Sequence, residues 1–213
     1  MPVRKVPKNY IHITGIVSSS KANGEARFEG GLEFDDLRLL TFDRNVAQFE
    51  VQPKRVPWRD QSGRERIYTP DSRVRLIDDT EKRIIREIKP RATLKKEWPE
   101  LKARFRAAIR SAQEEGSRFK LVTDREIRTQ YLESVRFLLP AARRGADPEM
   151  RRTVLEALRG ATESTPRQLM CNLTTDPWKQ AEILPVLWYL IGTFQVAADL
   201  DKPLTMDMKI SLP

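Results

Sequence analysis

The stretch "RIYTPDSRVRLIDDTEKRIIREIKP" (residues 66–90) decides how the chain is read. Its two apolar-rich runs, RVRLI and RIIREI, flank a polar turn at Asp78-Asp79, which predicts a pair of neighbouring strands. Asp71 and Glu87, with fifteen residues between them, then fall on adjacent strands. Glu87 and Lys89 are two apart, so they point to the same face of theirs. Upstream, Glu33 in "GGLEF" supplies a third carboxylate. The chemistry of such a set is specific. Mg²⁺ prefers carboxylate and carbonyl oxygen and keeps several of its own waters. Carboxylates can hold such a cation beside a phosphate, while a lysine orients a water and offsets developing negative charge. Each piece alone is commonplace. Pro-Asp is a frequent turn dipeptide. E-x-K arises by chance where 32% of residues are charged, and a lone glutamate suits the first turn of a helix.

The charge balance adds to the pattern. Residues 1–128 carry 29 Lys and Arg against 20 Asp and Glu, and residues 129–213 carry 10 of each. The whole excess of +9 therefore lies in the part holding the carboxylates. A phosphate backbone is the natural partner of such a surface; a basic surface kept for solubility is the bland alternative. Cys171 is the only cysteine, which excludes an internal disulfide and fits a reducing cytoplasm. His12 is the only histidine, so a His/Cys zinc site is excluded. The longest apolar run, "AEILPVLWYLIGTF", is too short and too interrupted to span a membrane, and no exported leader is expected.

Along residues 13–127 the patterns predict strand, helix, three strands, helix, strand, which is an α/β sandwich around a mixed sheet. The first helix is "LEFDDLRLLTFD", with Glu33 near its start. The second is "WPELKARFRAAIRSAQEEG", with Pro99 in its first turn and Leu101, Phe105, Ala108, Ile109 and Ala112 as its buried stripe. Candidate DNA contacts are Arg4, Lys5 and Lys8 in an extended arm, Lys21 in a polar loop, and Lys102, Arg106 and Arg110 along the second helix. From Arg128 the chain turns helical. Asp147-Pro148, Thr165-Pro166 and Asp176-Pro177 each place a capping side chain before a proline at the first helical position. "TPRQLMCNL" and "DPWKQAEILPVLWYLIGTF" predict a helix-turn-helix, and "FQVAADLDKPLTMDMKISL" two strands about Asp201-Lys202-Pro203, the wing of a winged helix. An ordinary helical interaction domain is the alternative.

Proline-aspartate followed by E-x-K is the PD-(D/E)xK arrangement of a restriction-type nuclease core. Across four blocks that include this motif, the chain resembles TnsA, the endonuclease subunit of heteromeric cut-and-paste transposons, including CRISPR-associated ones. The matching stretches are "LEFDDLRLLTFDRNVAQFEVQP" (32–53), "RIYTPDSRV" (66–74), "REIKPRATL" (86–94) and "FKLVTDREI" (119–127). The resemblance implies a restriction-endonuclease-like catalytic domain over 1–127 and a mainly α winged-helix interaction domain over 128–213. It implies Glu33, Asp71 and Lys89 as the catalytic trio. The metal ligands would be Glu33, Asp71, Glu87 and the Ile88 carbonyl, with Gln52 as a supporting contact. Mg²⁺ would be the cofactor, and Mn²⁺ would substitute. Ser72-Arg73 after the aspartate and Gly30-Gly31 before the glutamate depart from the family pattern, though neither removes a ligand.

The implied role is cleavage of the 5′ strands at transposon ends. A separate DDE transposase, TnsB, would cut and join the 3′ strands. The C-terminal domain would contact the AAA+ ATPase TnsC. No membrane partner is expected, and the expected place is the prokaryotic cytoplasm, on the nucleoid during transposition. Two other readings stand beside this one: a non-catalytic winged-helix DNA-binding adaptor, and a stand-alone restriction-type nuclease. A pure binder has no reason to gather three carboxylates where they would repel phosphate.

Overall fold

A computed structural model describes residues 13–78, 83–160 and 163–213, which divide into one unit ending at Arg128 and another starting at Thr129. The expected basic arm of Arg4, Lys5 and Lys8 lies outside the described residues, as does His12.

The first unit opens with a short ribbon, β1 (Gly15–Val17) and β2 (Ala26–Phe28), followed by α1 (Gly31–Phe42) and β3 (Val46–Val51). A hairpin of β4 (Val56–Arg59) and β5 (Glu65–Tyr68) comes next, then β6 (Ser72–Leu76) and β7 (Arg83–Ile88). Helix α2 (Arg91–Glu114) leads to β8 (Arg118–Val122) and a single turn, α3 (Asp124–Ile127). The central sheet has the order β3-β6-β7-β8. The first two pairings are antiparallel and the last is parallel. Parallel neighbours need a long crossover, and α2 supplies it.

Strand β7 lies inside this sheet and is covered on both faces. Ile85 and Ile88, of opposite parity, are both buried. One face packs toward α1: Arg86 donates from Nη2 to Asp36 Oδ1 at 2.6 Å and from Nη1 to Oδ2 at 3.0 Å. Asp36 is fully buried, so this two-pronged bond fixes α1, and with it Glu33, to the strand carrying Glu87. The α1 side is completed by Val17, Phe28, Leu37, Leu40, Phe49 and Val74.

Two expectations for this unit are corrected. The three strands expected between the two helices are five among the described residues, and "RERIYTPDSRVRLI" is not one strand. Residues 69–71 break it, leaving β5 paired with β4 in a separate ribbon and β6 in the central sheet. The second helix starts at Arg91, well before Pro99, which sits inside it on the solvent side. The carbonyl that proline leaves without an N–H faces water, so the helix continues through it. Pro140 and Pro185 lie inside helices of the second unit on exposed positions for the same reason. The helix start at Arg91 is held by Asp124, whose Oδ1 accepts from the Arg91 backbone N–H at 2.6 Å. The buried stripe of α2 is Leu101, Phe105, Ala107, Ala108 and Ala112, whereas Ile109 is exposed.

The second unit holds α4 (Gln130–Arg144), α5 (Pro148–Arg159), α6 (Pro166–Leu173) and α7 (Pro177–Gly192), then β9 (Ala197–Ala198) and β10 (Ile210–Ser211). All three Pro-led starts are capped. Asp147 accepts from Met150 N–H at 2.9 Å, Thr165 Oγ1 from Gln168 N–H at 3.2 Å, and Asp176 from Trp178 N–H at 2.9 Å. Gln168 Oε1 accepts in turn from Thr165 N–H, closing a capping box. Leu132, Val135, Leu138, Leu158, Leu187 and Leu190 are among its buried residues. A Cβ on Gly192 would meet the Leu138 carbonyl at 3.0 Å, so glycine sets how closely α7 approaches α4. The expected wing strands pair over only two residues each. The segment between them is tied to α6 by Arg167, whose side chain pairs with Asp207 at 2.8 Å and whose backbone N–H donates to the Met206 carbonyl at 2.9 Å.

Candidate active site

Register places the two motif carboxylates together. Ser72 pairs with Arg86, so Asp71 lies at the strand end beside Glu87. The Ile88 N–H donates to Asp71 Oδ2 at 2.6 Å, which ties the aspartate to the strand of the E-x-K motif. Glu33, in the first turn of α1, accepts from the Glu29 N–H at 2.8 Å. Glu33, Gln52, Asp71, Glu87 and Lys89 all line one open cleft of about 950 Å³.

Within it, the three carboxylates that the resemblance implies as metal ligands do not form a tight cluster. Among the described residues no three His, Cys, Asp or Glu side chains converge on a common point. Each carboxylate has turned to its own donors, as buried like charges do. Glu87, almost wholly buried, accepts from the Tyr68 hydroxyl. Its other oxygen lies 3.2 Å from Lys89 Nζ and 3.6 Å from Arg104 Nη2. Arg104 comes from the inner side of α2 and stacks over the Tyr68 ring, 5.0 Å from its centroid. Arg104 is not among the contacts expected along α2, where its exposed neighbours Lys102 and Arg106 are. The available signal was position: Arg104 lies three after Leu101 and four before Ala108, on the buried face.

The electrostatics follow from this crowding. Burial pushes the Asp71 carboxyl well above the usual carboxylate range, and Glu87 and Glu33 push it the same way. Burial also raises Glu33. Burial, then the Glu87 charge, raises the Tyr68 hydroxyl, so it stays a donor. For Lys89 burial acts downward, but Glu87 and Asp71 outweigh it and its pKa is raised, keeping an ammonium in the cleft.

A smaller cavity of about 10 Å³ adjoins the cleft, lined by Glu33, Gln52, Asp71 and Ile88 among others. It has room for about one water-sized group. Gln52 Oε1 is buried there with no hydrogen-bond partner. Its backbone is left-handed, φ 50°, unusual for a residue with a side chain, and its N–H is bonded to the Asp71 carbonyl at 2.9 Å. Two carboxylates, an unpartnered amide oxygen and the Ile88 backbone form an all-oxygen set. Mg²⁺ is commonly bound by one or two carboxylates and waters, so these residues fit such a cation. Ser72 is buried in the adjoining strand, and Arg73 pairs with Glu50 and Glu115. Gly30 and Gly31 leave ordinary space for a side chain. The departures from the family pattern therefore do not remove a ligand.

Residues 43–124 match the family model of the TnsA-like endonuclease N terminal domain. The matched segment holds Gln52, Asp71, Glu87, Lys89 and Arg104 and begins after α1, so Glu33 lies outside it. The match covers 82 of the 213 residues, all in the first unit, and supports a TnsA-like, restriction-endonuclease-like unit of endonuclease type. No curated protein matches the chain.

The remaining expected DNA contacts lie elsewhere. Lys102, Arg106 and Arg110 are exposed on α2 and do not line the cleft. Lys21 donates from Nζ to the Asp43 carbonyl at 2.6 Å, at the C-terminal end of α1, which engages its ammonium within the fold. No helix among the described residues is long and apolar enough to cross a membrane.

Proposed function

We propose that the chain is a metal-dependent DNA endonuclease working as the TnsA-like subunit of a transposase, cutting the 5′ strands at transposon ends. The observation that carries this is the joint lining of one cleft by Glu33, Asp71, Glu87 and Lys89, in a unit whose central part matches the TnsA-like endonuclease domain. Glu33, Asp71, the Ile88 carbonyl and Gln52 Oε1 would hold Mg²⁺ or Mn²⁺, with Glu87 beside them. When bound, the cation supplies Lewis-acid polarisation of the scissile phosphate. Lys89 keeps its proton and lines the cleft, where its ammonium would orient a water and offset charge on the phosphate oxygens. Attack forms a bond from the water oxygen to phosphorus, the bond to the leaving sugar oxygen breaks, and that oxygen takes the proton. Tyr68 and Arg104 hold Glu87 in place.

The second unit carries no charge excess and its helix pair α6–α7 ends in a short strand pair, which supports a winged-helix adaptor more than a DNA reader. Its partner in this reading is the AAA+ ATPase TnsC, and the DDE transposase TnsB cuts and joins the other strand. In an assay with both partners and a plasmid carrying transposon ends, Asp71→Ala and Lys89→Ala are each expected to leave the 5′ strand uncut while the 3′ strand is joined. The rate loss should be on the order of a hundredfold or more. Full excision by either variant makes both residues structural and ends the reading.

A further inference from the structure

The cleft has two unlike walls. One is the end of the central sheet with Asp71, Glu87 and Lys89. The other is the β4–β5 hairpin, which contributes Trp58, Asp60, Arg66 and Ile67 and pairs with no strand of the central sheet. Its root is anchored: Val56 and Tyr68 are buried against Ala107 and Ala108 of α2. Beside it, Lys54 bonds the Ser111 hydroxyl at 2.9 Å. Its tip is equally fixed. Asp60 Oδ1 accepts from the Ser62 N–H, the Ser62 hydroxyl and the Arg64 N–H at 2.9, 2.6 and 3.1 Å, and Oδ2 accepts from Arg66 Nε at 3.0 Å. Gly63, at φ 77°, makes that turn possible. The acidic side chain at the tip is thus consumed by the turn itself. Between the fixed ends, Pro57, Arg59, Arg64, Arg66 and Ile67 are exposed. The Arg59–Glu65 pair is open to water on both sides, so exchanging it for a phosphate costs little.

We propose that the β4–β5 hairpin is a preorganised ribbon that enters the major groove of the duplex being cut, with Arg59, Arg64 and Arg66 on phosphates and base edges. This rests on the nuclease reading of the cleft and adds the element that seats the substrate. The major groove, about 12 Å wide, admits a two-stranded ribbon. Guanidinium forks match phosphate oxygens and the guanine edge. A ribbon held at both ends loses little freedom on binding. Tyr68, at its root, is three residues from Asp71, so the groove position of the ribbon sets which phosphate reaches the carboxylates.

The test uses the full chain and a fluorescein-labelled duplex of about 30 bp in EDTA, so that binding is read without cutting, across about 50 to 200 mM salt. Arg59→Ala/Arg64→Ala/Arg66→Ala should weaken binding about tenfold or more and flatten the salt slope by about two to three. The triple Lys102→Ala/Arg106→Ala/Arg110→Ala is expected to lose less. Hairpin-variant binding equal to the parent, or a larger loss from the α2 variant, overturns the proposal. A second measurement does not depend on removing arginines. Gln61→Cys, at the exposed neighbouring position of the tip, in a Cys171→Ser background and carrying a photo-crosslinker, should crosslink to duplex DNA; no crosslink from a protein that still binds the duplex overturns it. A parent that binds and crosslinks but never cuts with Mg²⁺ or Mn²⁺ removes the nuclease reading and leaves the hairpin contact standing. A parent that cuts with an indifferent hairpin does the reverse.

Discussion

Asp71 is the residue where function and stability oppose each other. Its carboxyl is raised by burial and by Glu87 and Glu33, so the folded chain holds that proton more tightly than the unfolded chain does. Folding stability is therefore lost as pH rises from the ordinary aspartate range through the raised value, and the penalty is complete above it. Asp71→Asn removes the charge and keeps an oxygen for the Ile88 N–H. In EDTA near neutral pH the variant should melt higher than the parent by a few degrees; about 1 kcal/mol moves a chain of this size by about 2–4 °C. Mg²⁺ or Mn²⁺ should raise the parent's melting temperature and leave the variant's nearly unchanged. A variant that melts lower in EDTA would mean that the Asp71 charge supports the fold. At this scale Asp71, Glu87 and Lys89 were legible, because a strand pair and a two-residue spacing leave few places for them to go. Arg104 and the Gln52 oxygen were not, because each reaches the cleft through a conformation: a helix face for one, a left-handed backbone for the other.

At the scale of elements, the sheet depends on a charge pair that does not line the cleft. Asp36 is fully buried, and burial raises its carboxyl even though Arg86 pulls it down. Arg86→Ala leaves that carboxylate unpaired, and about 3–5 kcal/mol of stability should be lost, measured by urea unfolding of the full chain. Because α1 carries Glu33 and β7 carries Glu87 and Lys89, cutting should fall with it. Asp36→Asn/Arg86→Met should recover much of the stability, since a buried pair is replaceable by neutral groups of similar size. If Arg86→Ala unfolds at the parent's midpoint, the pair is ornamental and α1 is held by its apolar face alone. The helix of "LEFDDLRLLTFD" was legible from its leucines. Its buried charge was not, because Asp36 reads as solvated until its partner, fifty residues away, is folded against it. The same limit explains α2. Pro99 marks a helix start in sequence, and only its exposed position lets the helix begin two turns earlier.

Across the whole molecule, charge and chemistry lie on the same side of residue 128. The first unit holds the entire excess of +9, the cleft and the exposed arginines of the hairpin, whereas the second balances 10 basic against 10 acidic residues. Each unit has its own buried apolar residues, so the two can be expressed apart. Residues 1–128 should keep most of the duplex affinity of the full chain and its steep salt dependence. Residues 129–213 should bind DNA at least tenfold more weakly, with a shallow slope, because neutral surfaces release few counterions. Anisotropy with one duplex at two salt concentrations decides it, with circular dichroism confirming that both pieces are folded. Strong, salt-steep binding by residues 129–213 alone would turn α6 and α7 into a DNA-reading pair. It would shift the task of finding the cut site from the hairpin to the second unit.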